Sequence, residues 1–121
     1  MITRQIDGDT MIFHNNDTLI LTVDELDFNG GIQMFFKGQL TSDTVHFIQN
    51  ELDAFTSLGI KVYLNFKDVT FVAPSFLHAL LKTQDLVDFF KKGEIILTNI
   101  PDSVYQEMDE TGITELLMIE D

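Results

Sequence analysis

Lys61-Val62-Tyr63-Leu64-Asn65-Phe66-Lys67-Asp68-Val69-Thr70-Phe71-Val72-Ala73-Pro74-Ser75-Phe76-Leu77 is the stretch that decides the fold class. Its opening, Lys61 to Phe66, is β-prone, and its inner positions would face a core on alternate sides, so it reads as a short strand. Pro74 suits the first turn of a helix, where its missing N–H costs nothing. The spacing of Phe76, Leu77, Leu80, Val87 and Phe90 predicts a helix with one apolar face, running to Lys91. Lys91 and Lys92 complement the negative end of its dipole, and Gly93 lies beyond. A strand feeding a helix through Phe71-Val72-Ala73-Pro74-Ser75-Phe76 makes the chain α/β and puts that junction at its centre.

Upstream, Thr41 or Ser42 is the expected cap of a helix running to about Ser57, with Asp43 in the first turn. Val45, Ile48, Leu52 and Phe55 share one stripe of that helix, and Gly59 is its stop. Ile32 to Lys37 reads as a strand that Gly38-Gln39-Leu40 ends; Asn29-Gly30-Gly31 turns into it from a strand over Thr18 to Val23. Residues 1–16 hold two short apolar pieces around Asp7-Gly8-Asp9, the pattern of a loose hairpin. Downstream, Glu94 to Leu97 reads as a strand, Pro101 opens a short helix ending near Gly112, and Glu115 to Ile119 closes the sheet. The expectation is one domain over residues 17–121, a mixed sheet of about five strands with helices. An N-terminal β extension over residues 1–16 precedes it.

A chain of 121 residues with 45% hydrophobic residues can bury a real core, which excludes a disordered tail. Seven basic against 20 acidic residues give a formal charge of −13. Phosphate backbones and anionic lipid repel such a chain, which disfavours nucleic-acid binding and membrane insertion. No apolar run approaches the roughly 18–20 residues that a spanning helix needs. The first residues show no basic segment leading into an apolar one, and there is no cysteine. Both features fit a cytoplasmic protein.

Catalytic signals are missing from the sequence. His14, His46 and His78 fall in different predicted elements, and no metal motif, nucleophile elbow or phosphate-binding glycine loop occurs. No cofactor and no metal are expected, and the chain reads as a non-enzyme. Two aromatic residues stand off the predicted core stripes. Phe47 points about 100° or more from the Val45/Ile48/Leu52/Phe55 face. Phe89 lines up with His78, Lys82 and Asp85, opposite Leu80 and Val87. Each is either covered by a neighbouring segment or part of a partner-binding patch.

From Gly38 onward the order of signals resembles the STAS domain, the fold of bacterial anti-sigma factor antagonists. Gly38-Gln39-Leu40-Thr41-Ser42-Asp43-Thr44 is similar to the family's Gly-x-Leu-Asp turn into the first helix. Val62 to Phe71 resembles the central strand and the segment after it. Val104 to Ile113, with Asp109, Gly112 and Ile113, is similar to the late helix that ends in a Gly-Leu or Gly-Ile step. In that family the residues after the central Phe, which Phe71 matches here, are typically x-Asp-Ser-Ser-Gly-Leu, whose first Ser is phosphorylated by a switch kinase that is also the anti-sigma factor. Here Ala73 stands for the Asp, Pro74 for that Ser, Ser75 for the second Ser and Phe76 for the glycine.

The resemblance implies a regulatory module that binds a protein partner: a switch kinase or anti-sigma factor, a sensor, or a transporter ATPase. Proline accepts no phosphate, so the usual phosphoswitch is expected to be absent, with Ser75 the one remaining acceptor. The candidate partner-binding residues are Thr41, Ser42, Ala73, Pro74, Ser75 and Phe76, with Phe47 and Phe89 from the aromatic reading. Small-ligand sensing, of a nucleotide or a lipid near the same junction, and an accessory role in a transporter ATPase are the alternatives. The acidic charge and the missing phosphate cradle speak against anionic ligands.

Overall fold

A computed structural model of the chain describes residues 1–120; Asp121, the last residue of the expected domain span, lies outside it. β1 (Ile2–Asp7) and β2 (Thr10–Asn15) form the N-terminal hairpin, turned by Gly8 at φ +60°. β3 (Thr18–Phe28) and β4 (Gly31–Leu40) form the second, with Asn29 and Gly30 both at positive φ, as a tight two-residue hairpin turn requires. Then follow α1 (Val45–Ser57), β5 (Lys61–Val72), α2 (Pro74–Phe90), β6 (Glu94–Thr98), α3 (Asp102–Glu110), a 3-10 turn (Ile113–Glu115) and β7 (Met118–Glu120).

All seven strands lie in one sheet in chain order, β1 to β7. β1 to β4 pair antiparallel; β4, β5, β6 and β7 pair parallel, and each parallel step is bridged by a helix. This is the expected α/β fold with a mixed sheet, and the N-terminal hairpin continues that sheet. Along β5 and β6 the residues Val62, Leu64, Phe66, Ile95 and Leu97 point to one face. There they join Phe13, Leu21 and Phe36, the α1 stripe Val45/Ile48/Leu52, and Phe76 and Leu80 of α2 in one buried cluster. Tyr63 and Ile96, of opposite strand parity, are buried outside that cluster, and Phe28 packs edge-on against Tyr63 at 4.9 Å.

Three local expectations are corrected. α1 begins at Val45 behind Thr44, and no side chain caps it. Thr44 instead donates its hydroxyl to the Thr41 carbonyl at 2.9 Å, so residues 41–44 form a turn and Asp43 precedes the helix. β5 runs twice as far as the strand expected there, to Val72. Phe90 is 64% exposed and lines an open cleft against Thr56 and Ser57 of α1, so it is not part of the buried face of α2.

Candidate functional site

The junction between β5 and α2 is fixed first by backbone. The Ala73 N–H donates to the Leu40 carbonyl at 2.8 Å, which ties the end of β5 to the end of β4. The turn at Thr41–Thr44 therefore sits beside the N-terminus of α2. Ala73 is the extended residue before the helix, Pro74 takes its first turn, and the Phe76 N–H reaches back to the Ala73 carbonyl at 3.0 Å. With proline at this position one of the free N–H groups of a helix start is missing.

Phe76 points inward. It is 1% exposed and meets the rings of Phe36 and Phe66 edge-on at 6.0 and 6.2 Å. Ala73 is buried as well. Neither side chain is presented to solvent, which corrects their place among the candidate binding residues: Phe76 belongs to the core cluster, and Ala73, the residue before α2, is buried beside it in the chain. The Ser75 hydroxyl oxygen is enclosed and has no hydrogen-bond partner, and the same holds for the Thr41 hydroxyl. Ser42 and Pro74 are exposed.

The accessible part of the junction is a shallow apolar cleft of about 140 Å³, walled by Pro74, His78 and Leu81 of α2 and by Leu116 after the 3-10 turn. Leu116 is 63% exposed. His78, Leu81 and Leu116 are absent from the sequence-derived set. The signal for the first two was available: Pro74, His78 and Leu81 fall at i, i+4 and i+7, one line along the helix.

The two off-stripe aromatics lie elsewhere and differ from each other. Phe47 is half-buried: Phe13 of the N-terminal hairpin packs at 5.6 Å, His46 stacks at 4.3 Å, and the Arg4 guanidinium sits 4.8 Å above the ring. It is a covered residue. Phe89 is 79% exposed and touches only its neighbour Phe90 among aromatic rings, edge-on at 5.0 Å. With Leu86 and Phe90 it makes an apolar patch at the far end of α2, roughly 20 Å along the helix from Ser75. Thr41, Ser42, Pro74 and Ser75 are thus brought together, and Phe47 and Phe89 are not part of that group. Among the described residues no set of three His, Asp or Glu side chains is arranged to hold a metal ion.

The family model of the STAS domain matches residues 25–121. The chain belongs to the STAS-domain family. Its match begins inside β3, so β1 and β2 precede the matched region of the STAS domain. The fold is similar to the anti-sigma factor antagonist SpoIIAA in its unphosphorylated form, with TM-score 0.67 and 16% identity over 82% of this chain and 88% of that one. An anti-sigma factor antagonist from Mycobacterium paratuberculosis gives TM-score 0.67 and 13% identity over 82% and 84%. The phosphorylated form of SpoIIAA, described as a Bacillus cell-fate determinant, gives TM-score 0.61 and 15% identity over 82% and 91%. At such identities the likeness is one of fold. No curated protein is close enough in sequence to count as a match.

Proposed function

We propose that this STAS domain is a cytoplasmic, non-catalytic regulatory module of a bacterial signalling system, docking an anti-sigma-type switch kinase without being phosphorylated at the usual serine. One observation carries the reading. By the family resemblance Pro74 stands where the phosphorylated serine would be, and the hydroxyl of Ser75, the next residue, is enclosed. A kinase must reach its acceptor oxygen, and the Ser75 hydroxyl is turned away from solvent. The exposed cleft of Pro74, His78, Leu81 and Leu116 remains available to an apolar anchor of a partner, since exposed apolar side chains beside a concavity favour protein docking. The similar solved structures include anti-sigma factor antagonists, which supports the reading.

The test is calorimetric titration against the anti-sigma-type kinase of the same host, with ATP present. Binding is expected for the wild type and for Ser75→Ala, with no phosphate gained in the intact mass. Leu116→Asp should weaken binding by about tenfold or more with an unchanged melting curve. Phosphate mapped to Ser75, or no binding by the folded chain, would overturn the proposal.

Small-ligand sensing has one observation in its favour. A cleft of about 360 Å³ opens between α1 and the last turns of α2, with Thr56, Leu86, Val87 and Phe90 among its walls. Its apolar lining suits an acyl chain better than a nucleotide. A saturable rise in melting temperature with an acyl ligand, lost in Val87→Arg, would support this second reading.

A further inference from the structure

We infer that the chain forms a two-fold dimer by packing the helix-free face of its sheet against the same face of a second copy. Right-handed crossovers between parallel strands laid down in chain order put α1, α2 and α3 on one side of the sheet. The buried cluster around Leu64 and Leu97 accordingly holds residues of all three helices. Strand residues of the other parity face away from it, and among the described residues no helix covers them. There Asn65 Nδ2 donates to Gln33 Oε1 at 3.3 Å across β4 and β5. The ladder sets Leu26, Gln33, Tyr63, Ile96 and Met118 side by side in one row, from β3 to β7. Tyr63 and Ile96 form its enclosed middle, while Leu26 and Met118 at its ends are 54% and 50% exposed. An apolar row across five strands is a surface built to be covered.

Charge and area select a second copy as the cover. Between the core residues Phe66 and Val69, both Lys67 and Asp68 are exposed. On β3 to β6 this face thus carries Lys37, Lys61 and Lys67 against Asp24, Asp68 and Glu94, with no net charge. The −13 of the chain lies on its remaining surface. Two copies repel each other through that surface and meet at least cost where the charges cancel, whereas a basic partner gains most elsewhere. Seven strands about 4.8 Å apart and roughly 18 Å long offer about 600 Å² per copy. Two copies then cover about 1,200 Å², which reaches the lower end of stable specific interfaces. Sheets packed face to face are an ordinary two-layer arrangement, and a two-fold axis makes one patch its own complement. The helices point outward on both copies, so the Pro74 cleft stays open twice and the dimer is bivalent.

Sedimentation equilibrium of the full chain at about 50 µM is the test. The wild type should weigh twice one chain. Its dissociation constant should fall as NaCl rises from about 0.05 to 0.5 M, because salt screens the repulsion between acidic copies. Leu26→Arg and Met118→Arg, at opposite ends of the row, should each weaken the dimer by about tenfold or more with unchanged far-UV circular dichroism. Phe89→Ser, on the helical side, should leave it intact. Isotope-filtered NOEs between labelled and unlabelled wild-type copies need no variant, and should fall on the methyl groups of Leu26, Ile96 and Met118. A wild type that stays monomeric at the higher salt, a dimer that Phe89→Ser weakens and the two arginine variants do not, or intermolecular NOEs confined to α1 and α2 would overturn the inference.

Discussion

Phe47 and Phe89 have the same side chain, on the two long helices that pack on the sheet, and what surrounds each determines its worth. Phe47 lies between Phe13 and the Arg4 guanidinium, so replacing it leaves a partly filled hole and a cation without its ring. Phe47→Ala is expected to cost about 2 kcal/mol in urea unfolding. Phe89 is 79% exposed, and Phe89→Ser should change stability by no more than about 0.5 kcal/mol. Equal losses would contradict these surroundings. Helical arithmetic was enough to place both residues off the core stripes. It was blind to the cover, because Phe13 and Arg4 reach Phe47 through strand pairing of a distant segment, and no periodicity within α1 registers that. Phe76 was ambiguous for a related reason. Its stripe favoured the core while its place in the family motif favoured the surface, and only the rings of Phe36 and Phe66 decide between them.

Among the elements, β5 shows why a strand's length is hard to read. Its pairing with β4 slips twice, between Phe35 and Lys37 and again between Gly38 and Gln39 on the β4 side. Each slip places an extra residue in β5, and the Lys67 N–H closes onto the Asn65 side chain at 3.0 Å at the first. Beyond Phe66 only Val69 and Val72 are buried, a spacing of three that breaks the alternation of a strand. The regular half of β5 and both long helices were legible because their periods are undisturbed. Gly38 sits at the second slip with φ +118°, and a Cβ there would lie 2.2 Å from the Ile20 carbonyl oxygen on β3. That oxygen is a backbone atom of β3 at the residue where its register with β2 shifts, so relieving the clash means moving the strand backbone itself. Gly38→Ala should therefore destabilise by about 2 kcal/mol or more, measured by thermal unfolding, and should shift the amide resonances of β3 and β5 together. A neutral result would mean that the bulge relaxes at no cost.

At the scale of the whole molecule the question is what the N-terminal hairpin does for the sheet it extends. The family match begins only at residue 25, and the sequence pattern suggests residues 1–16 as a hairpin added to a domain beginning at residue 17. The burial pattern points to a stronger dependence. Phe13 is fully enclosed and Met11 is 3% exposed, both inside the common core. Their partners across the ladder, Leu21 and Val23, are also fully buried. Removing residues 1–16 would empty one Phe and one Met site, a loss of about 5 kcal/mol or more. That compares with a total stability of about 5–15 kcal/mol for a domain of this size. It would also leave β3 as a bare edge with two apolar side chains on its inner face, an invitation to pair with another chain. The chain starting at Asp17 is thus expected to melt far below the full protein and to associate beyond the full protein's state on a sizing column. Truncation at Gly8 removes only β1, whose residues beyond Ile2 are all exposed, and should be much milder. A chain from Asp17 that associates no further than the full protein and melts within a few degrees of it would instead make the hairpin an accessory. The Arg4 and Phe13 cover over Phe47 would then be its remaining contribution.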